Sequence, residues 1–376
     1  MKYIEEFQTK KAVLPLVNQL KKIVKKDRIY NFMEFCGGHT HTFFKTGLID
    51  LLPPQINLVH GPGCPVCVLP AFPIQNSIQL LQRDPDIVLM TYADLMRIPT
   101  NDGDSLIKAK SRGLAIQSIY SALEALNFAK EQPHKKVVFL AIGFETTMPP
   151  TVMLLHQAIK ENINNFYVYC NHLNTSMALK SILQNEKKET QKLDGLIGPG
   201  HVALITGSQF FAQFSDDYHK PIVISGFTPY DLAQSLVMLV EQVNRNIAQT
   251  EIQYSRAVNE AGNPLSLQLI DQYLENRATF QWRGLGEMPN SAFKLKDQYR
   301  QWDAEYIFQL KNSPLKDHPS CLCSKVLTAQ RKPTECKLFG KSCTPERPLG
   351  PCMVSSEGAC SAYYLAGRHL QNKAAL

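Results

Sequence analysis

The sequence predicts an α/β protein in which two similar Rossmann-like, parallel-sheet domains face a cleft and precede a smaller, cysteine-rich domain. Between residues 30 and 250, short apolar runs alternate with amphipathic helical stretches, the pattern of parallel strands covered on both faces. An apolar run that ends in Gly-Pro-Gly occurs twice, with the tripeptide at 61–63 and again at 198–200, which indicates two similar domains. From residue 311 onward the chain is dense in Pro, Lys, Gly and Cys, so a metal site is expected to hold this segment together.

The predicted strands are short apolar runs bounded by Gly, Pro or polar residues. They lie at 56–61, 87–92, 137–143, 166–170, 194–198 and 221–226. Apolar residues at three- and four-residue spacing predict helices at 115–131 and 230–246. The predicted domains are 30–150 for the first α/β domain, 151–255 for the second, and 256–376 with the N-terminal helix 1–29 for the third.

Charge and hydropathy exclude several classes of protein. The net charge of +7 is modest, and its positive residues are scattered apart from 19–28 and the last eighth of the chain, so nucleic-acid binding is not predicted. Residues 19–28 instead predict an amphipathic helix with a solvated lysine face. The chain starts without an apolar signal region, and its apolar runs are too short to cross a membrane. We expect a cytoplasmic protein that is monomeric on its own.

The ten cysteines are expected to bind metal or do redox chemistry, since a reducing compartment disfavours structural disulfides. Cys64 and Cys67 lie in the sequence GPGCPVC. This spacing is typical of a thioredoxin-type redox pair, and it also fits half of a zinc site. The redox pair is favoured because the chain has no second Cys-x-x-Cys.

A second candidate site is CGGHTH at 36–41. Gly37 and Gly38 carry no side chains, so a ligand is expected to approach the backbone closely. The helical pattern that follows places Cys36 near a helix N-terminus, where a thiolate is stabilised. A thiolate beside His39 or His41 is a ligand set suited to iron, zinc or copper.

The C-terminal cysteines predict a third site. Four thiolates in a loop-rich segment fit either a [4Fe-4S] cluster or structural zinc, and nearby lysines and arginines would offset the negative charge. The predicted ligands are Cys321, Cys336, Cys343 and Cys360. Cys323 and Cys352 are left over, and either is an alternative to one of the four.

Candidate residues follow several predicted strands. Cys36, Asp94, Glu145 and His201 each come soon after an apolar run, as do Cys64 and Cys67. Ligands of open α/β sheets bind outside the carboxyl ends of the strands, so these side chains are expected to open onto one crevice. We assign Asp94, Glu145 and His201 a possible part in orienting ligands or moving protons.

Five motifs together closely resemble the HypD family of hydrogenase maturation proteins. In chain order they are FCGGHTH, GPGCPVC, GFETT, GPGHV and CKLFGKSCTPERPLGPCMVSSEGACSAYY. The resemblance spans nearly the whole chain. It implies two facing α/β domains and a third that holds a [4Fe-4S] cluster. It also implies an assembly scaffold with redox activity, on which the Fe(CN)2CO group of [NiFe]-hydrogenases is built.

The resemblance also implies roles for particular residues. Cys36 and His39 would hold the iron that receives the ligands, and Cys64 and Cys67 would form the thiol/disulfide pair. The cluster would be bound by Cys321, Cys336, Cys343 and Cys360. The implied partners are the small chaperone HypC, which adds a cysteine ligand, and HypE, which delivers cyanide with HypF acting upstream.

Two other functions are compatible with parts of the sequence. An iron–sulfur thiol–disulfide reductase acting on proteins would use Cys64 and Cys67 but leaves CGGHTH without a role. A zinc-stabilised nucleic-acid-binding protein would be supported only by the basic tract around the C-terminal cysteines.

Overall fold

The computed structural model describes Phe7 and residues 9–185, 192–311 and 318–368. The remaining parts of the predicted domain ranges lie outside the described residues, at 1–6, 8, 186–191, 312–317 and 369–376.

Two parallel sheets organise the described part of the chain. In chain order, the strands of these sheets are β1 (Tyr30–Glu34), β2 (Ile56–His60), β3 (Ile87–Tyr92), β4 (Ile116–Ile119), β5 (Lys136–Gly143), β6 (Phe166–His172), β7 (Gly195–Pro199), β8 (Ile222–Ser225) and β9 (Thr250–Ile252). The first sheet has the order β2–β1–β7–β8–β9 and the second has the order β4–β3–β5–β6. All pairings within both sheets are parallel.

The two sheets share one winding pattern. In each, the chain enters at an inner strand, moves to the neighbouring edge, and then crosses to the other side. This doubly wound order is that of Rossmann-like folds, and its point of reversal lies between the first and third strands of a sheet. The prediction of two Rossmann-like units is confirmed. Their reversal points lie between β1 and β7 and between β3 and β5.

The sheets divide the chain differently from the predicted ranges 30–150 and 151–255. Strands β3–β6 form the second sheet as one insertion, and the chain then returns to complete the first sheet with β7–β9. A boundary at residue 150 falls between two strands that pair with each other, β5 and β6. The amino-acid pattern of a short buried strand does not indicate which neighbour it will pair with, so an insertion resembles two successive domains.

The helices cover both faces of the sheets. They are α1 (Lys10–Ile23), α2 (Gly37–Lys45), α3 (Pro65–Val68), α4 (Phe72–Arg83), α5 (Leu106–Ser111), α6 (Leu123–Glu131), α7 (Met148–Lys160), α8 (Thr175–Asn185), α9 (Gly200–Thr206), α10 (Gln209–Tyr218), α11 (Pro229–Arg245), α12 (Pro264–Tyr273), α13 (Ala304–Ile307), α14 (Cys323–Leu327) and α15 (Ala359–Leu365). Within the described ranges, no helix is long and apolar enough to cross a membrane.

One predicted helix is partly wrong. The stretch 115–131 begins with strand β4, and helix α6 starts only at Leu123. Ile116 and Ile119 are both buried. Residues three apart share one face of a helix, but in a strand they point to opposite faces, and here they pack into two different core clusters because both faces of the sheet are covered. β-Branched residues favour the strand.

Helix α1, which contains part of the basic N-terminal stretch, packs against α11. Val13, Val17 and Leu20 of α1 are buried, whereas its lysines are exposed. Helix α11 begins with a capping box between Thr228 and Asp231, which satisfies backbone N–H groups at its first turn. The predicted solvated lysine face is therefore present, but the helix ends at Ile23 and does not reach residue 28 as predicted.

The chain after β9 contacts both sheets. It adds two antiparallel pairs of strands, β10 (Leu274–Asn276) with β13 (Phe293–Leu295) and, between them in sequence, β11 (Thr279–Trp282) with β12 (Gly286–Pro289). Helix α12 packs on α7, and β13 packs on β6, so this part covers the second sheet. Residues 318–368 instead reach the first sheet, where α14 packs on β2 and α15 on α2.

Candidate functional site

The carboxyl ends of the two sheets face each other. Helix α9, which follows β7, packs against the turn Glu145–Thr147, which follows β5. The ends of β5 and β7 are therefore close together, an arrangement compatible with the predicted crevice.

Cys36 lies at the reversal point of the first sheet. It is the residue before helix α2, and its backbone is extended with φ −122° and ψ 129°. The loop after β2 lies directly against it: Gly61 N–H donates to the Glu34 carbonyl at 2.9 Å. At Gly63, an added Cβ would overlap the Phe35 carbonyl and come within 2.8 Å of Cys36 Cα. Only glycine allows this approach, and it brings the next residue, Cys64, beside Cys36.

Cys64 and Cys67 form a disulfide, with their Cα atoms 5.2 Å apart. Cys64 precedes helix α3, and both sulfur-bearing residues are buried. Helix α3 packs against the turn Pro351–Met353, which belongs to the C-terminal cysteine segment. The pairing favours a redox pair over half of a zinc site.

His39 is fully buried, and one of its nitrogens has no partner. Its Nε2 donates to the Ser225 carbonyl at 3.3 Å, whereas Nδ1 has no hydrogen-bond partner among the described residues. Burial lowers the pKa of His39 to about 4, so the imidazole is neutral and Nδ1 carries a free lone pair. A neutral imidazole nitrogen with a free lone pair is a competent metal ligand.

Phe227 holds two histidines by ring stacking. Its ring centroid lies 4.8 Å from that of His39 and 3.7 Å from that of His201. Burial lowers the pKa of His201, so this predicted site residue is also held neutral beside His39. Sequence reasoning missed Phe227. It follows β8 at the same sheet edge, so the rule that ligands bind outside the carboxyl ends of the strands (the strand-end rule) could have found it.

The space beside the two glycines of CGGHTH is occupied by protein. An added Cβ at Gly37 would lie 2.5 Å from the carbonyl oxygen of Glu357, and one at Gly38 would lie 3.1 Å from the Phe227 ring. The expectation that a ligand approaches both glycines is therefore corrected: the glycines admit Glu357 and Phe227 to close packing around Cys36.

Glu357 is the second residue that sequence reasoning missed. Burial is the largest cause that raises the pKa of the Cys36 thiol to about 12, and the negative charge of Glu357 is the next. The pKa of Glu357 is itself raised, first by burial and then by Asp94. Glu357 lies in a segment that contains no strand, so no pattern in the sequence identifies it as a neighbour of Cys36.

Residues 354–357 bridge the two sheets. On the side of the first sheet, His41 Nδ1 lies 3.3 Å from the Ser356 carbonyl. On the side of the second, Arg97 donates to the Val354 carbonyl at 3.0 Å, and Ser355 donates to Asp94 at 3.4 Å. His41 and Asp94 thus contact this bridging segment.

Glu145 is buried and has local partners. Its carboxylate accepts hydrogen bonds from Thr175 N–H at 2.9 Å and from Thr175 Oγ1 at 2.5 Å. Burial raises its pKa. These bonds tie the turn after β5 to the start of α8, so the described contacts of Glu145 are structural.

The C-terminal cysteines converge on one narrow cavity. Five of them line it: Cys321, Cys323, Cys336, Cys343 and Cys360. Gly350 closes one side, where an added Cβ would lie 2.5 Å from Cys321 Sγ and 2.7 Å from Cys323 Sγ. Cys352 is fully buried, and its hydrogen bonds to Cys323 and Cys360 raise its pKa. Both alternatives named from the sequence, Cys323 and Cys352, therefore contact the group.

This donor set fits a multi-iron cluster. Within the described ranges, no three His, Cys, Asp or Glu side chains are arranged around a single metal-ion position. The ligands of a [4Fe-4S] cluster bind four different iron atoms, so they surround a shared volume and do not meet at one point. Five cysteines around one narrow cavity are compatible with that requirement.

Comparison with known proteins identifies the family. The profile of the HypD family, described as "Hydrogenase formation hypA family", matches residues 11–367. The chain belongs to the HypD family. The resemblance drawn from the motifs is thereby confirmed.

Bacterial HypD proteins match the chain over nearly its full length. Hydrogenase maturation factor HypD2 of Bradyrhizobium diazoefficiens is 46% identical over 100% of both chains. Hydrogenase maturation factor HypD of Cupriavidus necator is 45% identical over 98% of each chain. The HypD of Escherichia coli is 39% identical, covering 97% of this chain and 98% of its own.

The environment of Cys36 in this HypD-family chain predicts slow alkylation. Because its pKa is raised to about 12, the thiolate fraction at pH 8 is small, and the iodoacetamide rate should rise about tenfold per pH unit below that pKa. The Glu357→Gln variant removes a nearby negative charge, so its rate at fixed pH should be higher. Mass spectrometry of the metal-free protein measures both rates.

The matched control is Glu346→Gln, because Glu346 is an exposed glutamate of the same segment. A wild-type Cys36 that titrates like a free cysteine would contradict this account.

Proposed function

We propose that this protein is the scaffold on which the Fe(CN)2CO group of [NiFe]-hydrogenase is assembled before its transfer to the hydrogenase large subunit. The observation that carries the proposal is the convergence of three sulfur sites. Cys36 abuts the loop of the Cys64–Cys67 disulfide, and the helix of that disulfide packs on the C-terminal cysteine segment.

The iron is the substrate of this site, and Cys36 and His39 are its proposed ligands. Metal binding displaces the Cys36 proton and so overcomes the raised pKa. His39 offers its unpartnered Nδ1 without a change of protonation. Both residues come from one helix start, which the Phe227 ring and Glu357 hold in place.

The disulfide is the proposed store of reducing equivalents. Two electrons and two protons convert the Cys64–Cys67 bond into two thiols. The buried position of both residues keeps the dithiol from reacting with solvent thiols, and their loop contacts the backbone of Cys36 through Gly63. Reducing equivalents are therefore held next to the iron ligand.

The proposed ligands of a resident [4Fe-4S] cluster are Cys321, Cys336, Cys343 and Cys360. When bound, such a cluster supplies electrons one at a time. Cys323 and Cys352 remain beside it, and Cys352 lies in the turn that packs on α3. The chain thus provides a continuous protein contact from the cluster cavity to the disulfide.

The proposed partners follow from family membership. HypC would add a cysteine to the iron, and HypE, with HypF upstream, would deliver cyanide, all in the cytoplasm. Cys36 is partly exposed, which an incoming thiolate requires.

The rival function of a thiol–disulfide reductase for proteins is disfavoured by burial. Such an enzyme needs one sulfur that a protein substrate can reach. Cys64 and Cys67 are only 3% and 0% exposed.

The test is anaerobic purification of the protein together with HypC. We expect infrared bands of iron-bound cyanide and carbon monoxide, together with iron and sulfide in the amounts of one [4Fe-4S] cluster plus one further iron. Colourless protein that contains zinc and lacks these bands would refute the proposed function.

A further inference from the structure

The cysteine cavity has an exposed side and a buried side. Cys321 and Cys336 are partly exposed, whereas Cys323, Cys343 and Cys360 are buried. Cys352 and the disulfide helix α3 lie on the buried side. Solvent therefore reaches the cavity on the side of Cys321 and Cys336, away from the disulfide.

Exposed lysines surround Cys336. We use the term basic face for Lys332, Cys336, Lys337 and Lys341. Tight turns hold it together, since Cys336 N–H donates to Pro333 and Lys341 N–H donates to Leu338, at 3.1 and 3.2 Å. All three lysines are exposed. Glu335, the acidic residue of the stretch 332–341, pairs with Arg331, and residues 336–345 contain no Asp or Glu.

These lysines are placed to meet a partner. A cation that merely offsets the charge of a buried cluster would point inward, whereas Lys332, Lys337 and Lys341 extend into solvent. Lys337 and Lys341 have no ion-pair partner among the described residues. A concentrated positive surface attracts a negatively charged protein and speeds its association.

We propose that the basic face docks a small acidic protein that carries one electron at a time, and that electrons enter through the Cys336 side. This inference rests on the proposed cluster. Each docking event would oxidise the reduced carrier by one electron, which the cluster held by the C-terminal cysteines would accept. Two electrons from two carriers and two protons from solvent balance the reduction of one Cys64–Cys67 disulfide to two thiols.

The surface favours a protein over a nucleic acid. Single-stranded nucleic acids are bound by exposed aromatic rings that stack on bases, together with positive charge. The one aromatic residue at 332–343 is Phe339, and it is buried. The basic face therefore offers charge without a stacking platform.

The test uses the cluster-loaded full chain and a reduced, acidic bacterial ferredoxin as the probe. The first variant combines Lys332→Glu, Lys337→Glu and Lys341→Glu. The matched control combines Lys11→Glu, Lys21→Glu and Lys22→Glu on α1, whose lysines are also exposed. Both variants have the same net charge, so they separate a local surface from overall charge.

At low salt we expect the basic-face variant to bind ferredoxin about tenfold more weakly than wild type, and the control to stay within about twofold. Iron and sulfide content and reduction by dithionite should be unchanged in both. Equal weakening in the two variants, or none in the basic-face variant, would overturn the proposal. So would preferential binding of a labelled oligonucleotide to the basic face. A wild-type chain that carries no cluster is recognised by iron analysis before ferredoxin is added, and that result counts against the proposed function itself.

Discussion

Replacing Cys36 with alanine should abolish the infrared bands of iron-bound cyanide and carbon monoxide in the anaerobic complex with HypC. Cys36 is the cysteine at the reversal point of the first sheet, and three residues later lies His39, whose Nδ1 has no hydrogen-bond partner among the described residues. Without its thiolate, the iron would keep only a neutral imidazole from this chain, which is too weak a ligand set to retain it. The measurement is an infrared spectrum of the purified complex.

The matched control is Cys170→Ala. Cys170 is a buried cysteine of the second sheet, and its Sγ donates to the Phe293 carbonyl of β13, which packs on that sheet. We expect its bands to persist at wild-type intensity. Bands of normal intensity in the Cys36→Ala complex would eliminate the role assigned to Cys36.

The Gly63→Ala substitution should destabilise the protein strongly. Its Cβ would overlap the Phe35 carbonyl and lie 2.8 Å from Cys36 Cα. Both are backbone atoms, so strand β1 or the disulfide loop must move. We expect a loss of about 3 kcal/mol or more in the free energy of unfolding, measured by urea denaturation followed by circular dichroism.

Gly113→Ala provides the comparison for this effect. Gly113 has a positive φ of 93° but open space around it, so alanine there should cost only about 1 kcal/mol of backbone strain. The difference between the two variants isolates the close approach of the two loops. Equal unfolding midpoints would show that the loops do not need this contact.

Much of the fold could be predicted from hydrophobic patterning. All six predicted strands form parallel strands, because a buried parallel strand is apolar on both faces. Strands β1 and β9 were not among the six, and Thr250–Ile252 of β9 is only partly buried and contains no apolar run. The insertion of the second sheet into the first was also missed, since it depends on pairing between residues far apart in sequence.

The site was predicted as far as the strand-end rule extends. Cys36, Cys64 and His201 lie at one edge of the first sheet, where that rule places them. Phe227 could have been found by the same rule. Glu357 could not, because its approach to Gly37 is set by the packing of α15 on α2 and by irregular backbone.

The insertion of one sheet into the other has a consequence for biosynthesis. Strands β3–β6 are contiguous in sequence, so they can pair on the ribosome as soon as they emerge. Strand β1 can pair with β2 early, but its other neighbour, β7, is translated only after the whole insert. The loops that carry Cys36 and Cys64 are therefore among the last to gain their native surroundings. A nascent chain would thus be protected from loading iron prematurely.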